Sequence, residues 1–188
     1  VLARISYNSP LVLTFALACT AVMALSQLTL GATTASFFAL GGRATDWMSY
    51  WRLLTYPLGH ADWSHLVGNL SLVLLVGPSL EERYGARKLL GKMIATAIVS
   101  GIANMVLFDT GLLGASGIVF LFIVLSSFAN AKAGEIPLTF VLVVILFLSK
   151  EIMAAVRTDD VSQFTHLAGG ACGAMFGFGS AGRRRLRL

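Results

Sequence analysis

Residues Gly111–Phe120 read GLLGASGIVF, and they set one hydroxyl, that of Ser116, between Ala115 and Gly117 at the threshold of a long apolar run. A plain reading is available: small residues let membrane helices approach closely, and a serine bonds back onto its own helix. A second reading makes Ser116 a chemical group held at a helix start. The two separate on one question, which is where the other polar side chains of this greasy chain fall relative to Ser116.

Working outward, apolar runs fall at about 10–30, 63–80, 89–108, 115–131, 136–156 and 162–180, each near the ~20 residues that cross a hydrocarbon core. With 56% hydrophobic and 12% charged residues and a mean hydropathy of +0.80, the 188 residues describe one all-α integral membrane domain over 1–188 rather than a soluble protein. Six spanning helices are expected. Asp62 is a candidate N-cap for the second span, and Pro137 suits the first turn of the fifth. The long first loop, about 31–62, carries Trp47, Trp51 and Tyr56 and is expected to fold in the bilayer interface. The fifth span has no small-residue seam and is expected to pack loosely beside the second, as a gate for substrates entering from lipid.

Six spans put both termini on one side. That side carries ten of the fourteen basic residues: Arg4, Arg83, Arg87, Lys88, Lys92, Lys132, Arg183, Arg184, Arg185 and Arg187. Arg43, Arg52, Lys150 and Arg157 fall on the other. The positive-inside rule therefore places both termini in the cytoplasm. The net charge of +5 sits beside apolar segments, where anionic headgroups are the simple partner, and no soluble region is left to hold nucleic acid. Cys19 and Cys172 lie in apolar runs without CxxC or zinc spacing, which argues against a metal or disulfide framework.

Spans two, four and six then run from outside to inside, with their first turns at a common depth. Ser116 opens the fourth. His65 and Asn69, spaced i, i+4, share a face of the second, and His166 begins the sixth. Polar groups gathered at one depth in a bilayer favour a functional cavity over isolated helix glue. A serine nucleophile needs a neutral imidazole to take its proton, and His166 is the best-placed base. Asp109, Asp159 and Asp160 read as loop residues, and Glu81, Glu82, Glu135 and Glu151 lie near helix ends, so a Ser/His dyad is the economical arrangement. The Ser116 backbone N–H, His65 and Asn69 are candidate oxyanion donors. A zinc protease lacks its HExxH, and neither paired broken helices nor rings of one charge suggest a transporter or channel.

These residues resemble the rhomboid family of intramembrane serine proteases over about 51–179. GxSG appears as Gly114-Ala115-Ser116-Gly117, and the histidine followed by small residues as His166-Leu167-Ala168-Gly169, continuing to Gly173. The spaced His, His and Asn appear as His60, His65 and Asn69, and the first-loop pair as Trp51-Arg52. Glu81-Glu82-Arg83-Tyr84-Gly85 looks like the family's polar cap after the second span.

The resemblance implies a Ser116 nucleophile, a His166 base, and an oxyanion site of His65, Asn69 and the Ser116 amide, with Gly114 as a further candidate. It gives supporting places to His60, Gly117, Gly169 and Phe120, the last standing where many members carry a tyrosine packed on the histidine. Trp51 and Arg52 read as structural, and Gly169 and Gly173 as a close-packing seam. No cofactor or metal is implied. The expected substrates are transmembrane proteins, and the expected setting is a bacterial inner or plasma membrane with the site opening outward. The alternative is an inactive rhomboid-like binder or chaperone on the same fold.

Overall fold

The computed structural model describes residues 6–41, 47–107, 111–128, 135–155 and 160–184, the side chains of 147–155, 160–166 and 180–184 excepted. Eight α-helices are found among the described residues: α1 (Pro10–Leu28), α2 (Ala32–Phe37), α3 (Trp47–Thr55), α4 (Trp63–Tyr84), α5 (Ala86–Leu107), α6 (Ser116–Ser127), α7 (Leu138–Ala155) and α8 (Asp160–Arg184). A 3₁₀ turn, Tyr56–Leu58, follows α3. The chain is thus an all-α membrane bundle. Among the described residues α1, α4 and α5 are long and apolar enough to cross a bilayer, while α6 and the Leu167–Gly179 part of α8 are shorter apolar helices. Arg4, Arg43, Asp109, Lys132, Arg157, Asp159, Arg185 and Arg187 lie outside the described residues, as do the side chains of Lys150, Glu151, Asp160, His166, Arg183 and Arg184.

Helix limits differ from the apolar runs for a physical reason. Hydropathy marks the hydrocarbon thickness, whereas charged residues continue a helix beyond it. Thus α4 runs four residues past the expected Leu80, through Glu81-Glu82-Arg83-Tyr84, and α5 resumes at Ala86 instead of residue 89. Gly85, at φ +78°, makes the break alone. Asp62 caps α4 as expected, accepting the His65 N–H at 2.8 Å. Pro137 stands just before α7 rather than in its first turn, its carbonyl accepting Val141 N–H at 3.2 Å.

The charged end of α4 ties three helices together. The Glu81 carboxylate, buried, accepts the N–H groups of Leu11 and Val12, both at 3.0 Å, so it serves the unsatisfied first turn of α1 and fixes that helix antiparallel to α4. Arg83 donates to the Phe128 carbonyl at the end of α6 (3.2 Å). The first loop is folded, as its composition suggested. Arg52 donates twice to the Ser36 carbonyl, at 3.0 and 2.6 Å, joining α3 to α2. Trp47, Tyr50, Trp51 and Leu54 remain exposed at helical spacing, an arrangement suited to a bilayer interface.

The core is an α4–α6–α8 layer in which the three helices run the same way. A Cβ on Gly77 of α4 would stand 3.1 Å from the Phe122 ring of α6, and one on Gly169 of α8 would overlap the Gly117 carbonyl. One on Gly173 would come within 2.8 Å of Val124 Cβ, and one on Gly177 within 2.5 Å of the Phe128 ring. The seam 169/173/177 therefore rides down α6 at a spacing of four. Gly177 extends the pair read from the sequence. Small residues are what make this approach possible in lipid, where dispersion contacts replace the hydrophobic drive. Among the described residues, helix α7 makes its main contacts with α6 and α8.

Gly170, next to this seam, is different, because a Cβ there meets only Val124 Cγ2, at an ordinary 3.9 Å. Gly169→Ala should lower stability by about 1–3 kcal/mol through overpacking. Gly170→Ala should be neutral, or stabilise by up to about 1 kcal/mol through helix propensity. Thermal unfolding of both variants in one detergent checks this, and equal effects would contradict the register of α8 on α6.

Candidate active site

Ser116 is the first residue of α6, and the segment before it is not helical. Extended backbone at membrane depth is tolerated only where protein satisfies its polar groups, and here it does. Leu112 and Leu40 exchange both backbone bonds (Leu40 N–H to Leu112 O, 3.0 Å; Leu112 N–H to Leu40 O, 2.8 Å). Gly114 N–H donates to the Tyr56 carbonyl at 3.1 Å. Tyr56 is itself buried, its hydroxyl donating to the Ala97 carbonyl of α5 at 3.3 Å. Ala115 N–H donates to His60 Nε2 at 3.4 Å. The first loop thus takes up the amides of residues 112, 114 and 115.

Two consequences follow for the oxyanion candidates. The Gly114 amide is engaged by the Tyr56 carbonyl. Gly114 sits at φ +110°, and a Cβ there would stand 2.7 Å from His65 Cε1 and 3.0 Å from its Nε2. Only glycine combines that dihedral with an imidazole lying on its α-carbon. The Ser116 amide, by contrast, precedes the first intrahelical bond of α6, Val119 N–H to Ala115 O. No side chain caps that helix, leaving its positive end turned toward the site.

Asn69 joins from α4. From the Gly77–Phe122 contact, Asn69 lies eight residues up α4 and Ser116 six residues up α6, or ~12 and ~9 Å at 1.5 Å per residue. The two stand at nearly one level. Asn69 is buried, and its Nδ2 has no hydrogen-bond partner. A buried amide donor in that condition costs free energy unless something accepts from it. On α8, residue 166 lies three positions before Gly169, so helical register raises it one turn above the Gly117 contact. Its side chain is among those not described. Phe120 is half-buried one turn below Ser116 and lines a cavity against α7 and α8.

His60 has a definite place. It lies in the loop between the 3₁₀ turn and α4, buried at 1% exposure, with its ring edge-on to His65 at 5.1 Å. Its Nδ1 is 3.4 Å from the Leu58 carbonyl and its Nε2 faces the Ala115 N–H. These partners assign the tautomer: Nδ1–H donates and Nε2 accepts. Burial first, then the neighbouring His65, pushes His60 down to about 4, against the opposing pull of the Leu58 carbonyl and Asp62. Nothing in the sequence spacing announced the contributions of Leu40 and Tyr56, because both act through backbone atoms.

The sign of the His60 effect is fixed. Above about pH 6.5 the imidazole is neutral in folded and unfolded chains alike and contributes nothing to pH dependence. From there down to about 4, the unfolded chain takes up a proton that the folded one refuses, so stability falls, by about 3 kcal/mol across the window. Melting temperature followed from pH 7 to 4.5 should drop more steeply for the wild type than for His60→Gln. Parallel profiles would remove His60 from this role.

Comparison with known proteins places the chain in a family. Residues 48–183 match the family model for the Rhomboid domain. The chain is 29% identical over 176 residues to the putative rhomboid protease YdcA of Bacillus subtilis, covering 86% of this chain and 84% of that one. It is 31% identical over 141 residues to Rhomboid-related protein 1 of Caenorhabditis elegans, covering 68% of this chain and 39% of that one. Rhomboid protease GlpG of Yersinia pestis is 27% identical over 115 residues, covering 61% of this chain and 41% of that one. The chain therefore spans about two fifths of the worm and Yersinia proteins and most of the Bacillus one. With its glycine-seamed helical core and a family model matched over most of its length, this integral membrane protein belongs to the rhomboid family.

Proposed function

We propose that this chain is an intramembrane serine endopeptidase acting on transmembrane proteins, with Ser116 as nucleophile and His166 as general base. The observation that carries the reading is the close approach of Gly169 to the Gly117 carbonyl. It holds the residue after the serine against α8, one helical turn from His166. In this reading His166 takes the Ser116 proton as the hydroxyl attacks a carbonyl, then returns it to the leaving amine. The Ser116 amide at the head of α6, His65 against Gly114, and the unpartnered Asn69 Nδ2 receive the developing oxyanion.

The substrate helix must unwind locally, because a helical carbonyl is already hydrogen-bonded and screened. Small or helix-breaking residues near the cut are expected for that reason. Six spans with both termini in the cytoplasm would turn the site outward, as the distribution of basic residues favours. The relatives named as rhomboid proteases support the class of reaction.

A fluorophosphonate probe tests the reading directly. The folded wild type should be labelled at Ser116, Ser116→Ala not at all, and His166→Ala only weakly. Absence of label on the folded wild type would favour an inactive family member that binds membrane proteins. In cleavage assays the two single variants and the double should be equally inert, since groups acting as a unit are non-additive.

The α4 pair separates chemistry from packing. Asn69→Ala or His65→Ala should lower kcat of the folded fraction, by up to roughly 10²–10³ where one donor dominates and less where the Ser116 amide compensates. Mere interhelical glue would cost about 0.6–2 kcal/mol of stability and spare turnover. Normal kcat in a destabilised double variant would assign both residues to packing.

A further inference from the structure

A cavity of about 160 Å³ lies between α6, α7 and α8, walled by Phe120 and Val124, by Phe140, Val143 and Val144, and by small residues of α8, Gly170, Ala171 and Ala174. Phe140 of this lining packs on Phe128 at 4.9 Å, and Phe128 on Phe178 at 4.8 Å, an aromatic cluster beside the cavity. Along α6 it extends from about 6 to 12 Å beyond Ser116, counting four to eight residues at 1.5 Å each. On α8 its lining begins at Leu167, beside His166, and continues through Gly170 and Ala171 to Ala174, so most of it lies deeper in the bundle than the residues argued to carry out hydrolysis.

Three observations narrow what fits there. The lining is apolar throughout, so water would find no partners, and an engineered apolar cavity of ~150 Å³ stays dry while accepting benzene. The wall on α8 includes exposed positions, Leu167 at 48% and Ala171, and the outer face of α7 is apolar and exposed at Leu142, Ile145 and Leu146. The cavity thus borders surface that faces hydrocarbon. Finally, Gly170 has room for a side chain, unlike Gly169 and Gly173, whose missing side chains are demanded by the contact with α6. Close packing explains those two glycines and leaves Gly170 to the cavity.

We propose that a lipid acyl chain inserts between α7 and α8 and occupies this cavity, completing the packing of α7 on the bundle. The occupant is hydrocarbon from the surrounding bilayer rather than a substrate side chain. A strand presented to Ser116 lies at the head of α6, whereas acyl chains populate the depth at which Val124, Val143 and Ala174 stand.

The full chain, reconstituted in phosphatidylcholine vesicles whose acyl chains carry a terminal diazirine, tests this by photolabelling and peptide mapping. Adducts on Val143, Val144 and Ala174 should exceed, several-fold, those on Leu17 and Val99, which are exposed on other faces of the bundle. Gly170→Leu should abolish the excess while sparing Leu17 and Val99. Val144→Trp, which fills the cavity from α7, supplies the same test should the first variant fold poorly. Labelling no higher than at Leu17, or unaltered by both filling variants, overturns the proposal. So does capture of the same residues by a diazirine-bearing substrate helix with the lipid probe silent, which would make the cavity a substrate subsite.

Discussion

Everything at the candidate site depends on how residues 112–117 are held. A non-helical segment within the bundle has amides that must be satisfied by protein, and three different parts of the first loop satisfy them: Leu40, the Tyr56 carbonyl and the His60 imidazole. On the far side the Gly117 carbonyl meets the bare α-carbon of Gly169. Ser116 sits between these restraints as the first residue of α6. The first loop, with its exposed aromatic face, is in this respect the scaffold of the serine as much as a membrane-surface element. Arg52, which joins α3 to α2, braces the same scaffold from a distance.

The parallel layer of α4, α6 and α8 then decides which side chains share a depth. In lipid the attraction between helices comes from dispersion and a few polar bonds, so close approach needs small residues at regular intervals. Gly77 and the 169/173/177 series supply them. Because the three helices run in one direction, their first turns, and the positive ends of their dipoles, gather at one end of the molecule. At the opposite end Glu81, Arg83 and the Phe128 carbonyl form a polar clasp that fixes the axial positions of α1, α4 and α6. Sliding one helix along another would break the clasp and separate Asn69 from the level of Ser116 together.

Helix α7 stands apart from this economy. It has no glycine seam and meets the bundle through an aromatic cluster near its start, with a cavity beside that cluster in place of close packing. The glycines at 77, 169, 173 and 177 account for the tightness of the α4–α6–α8 layer around the site. No such glycines stand in α7, and a helix less firmly held is one that bilayer components can influence.

The sequence by itself determined the membrane class, because only spans of lipid-compatible length could use so many apolar residues, and it marked the serine, histidine and asparagine positions because polar side chains are scarce and costly in such spans. It determined the Asp62 cap, whose signal is local. It did not determine where α4 ends and α5 begins, since hydropathy cannot tell a charged helical turn from a loop. Nor did it reveal that the Gly114 amide is engaged by Tyr56, that His60 accepts from Ala115, or that Gly170 faces a cavity while Gly169 faces a carbonyl. Those facts belong to tertiary structure. They depend on backbone groups common to every residue type and on which partner each glycine of α8 meets on α6, and side-chain spacing specifies neither.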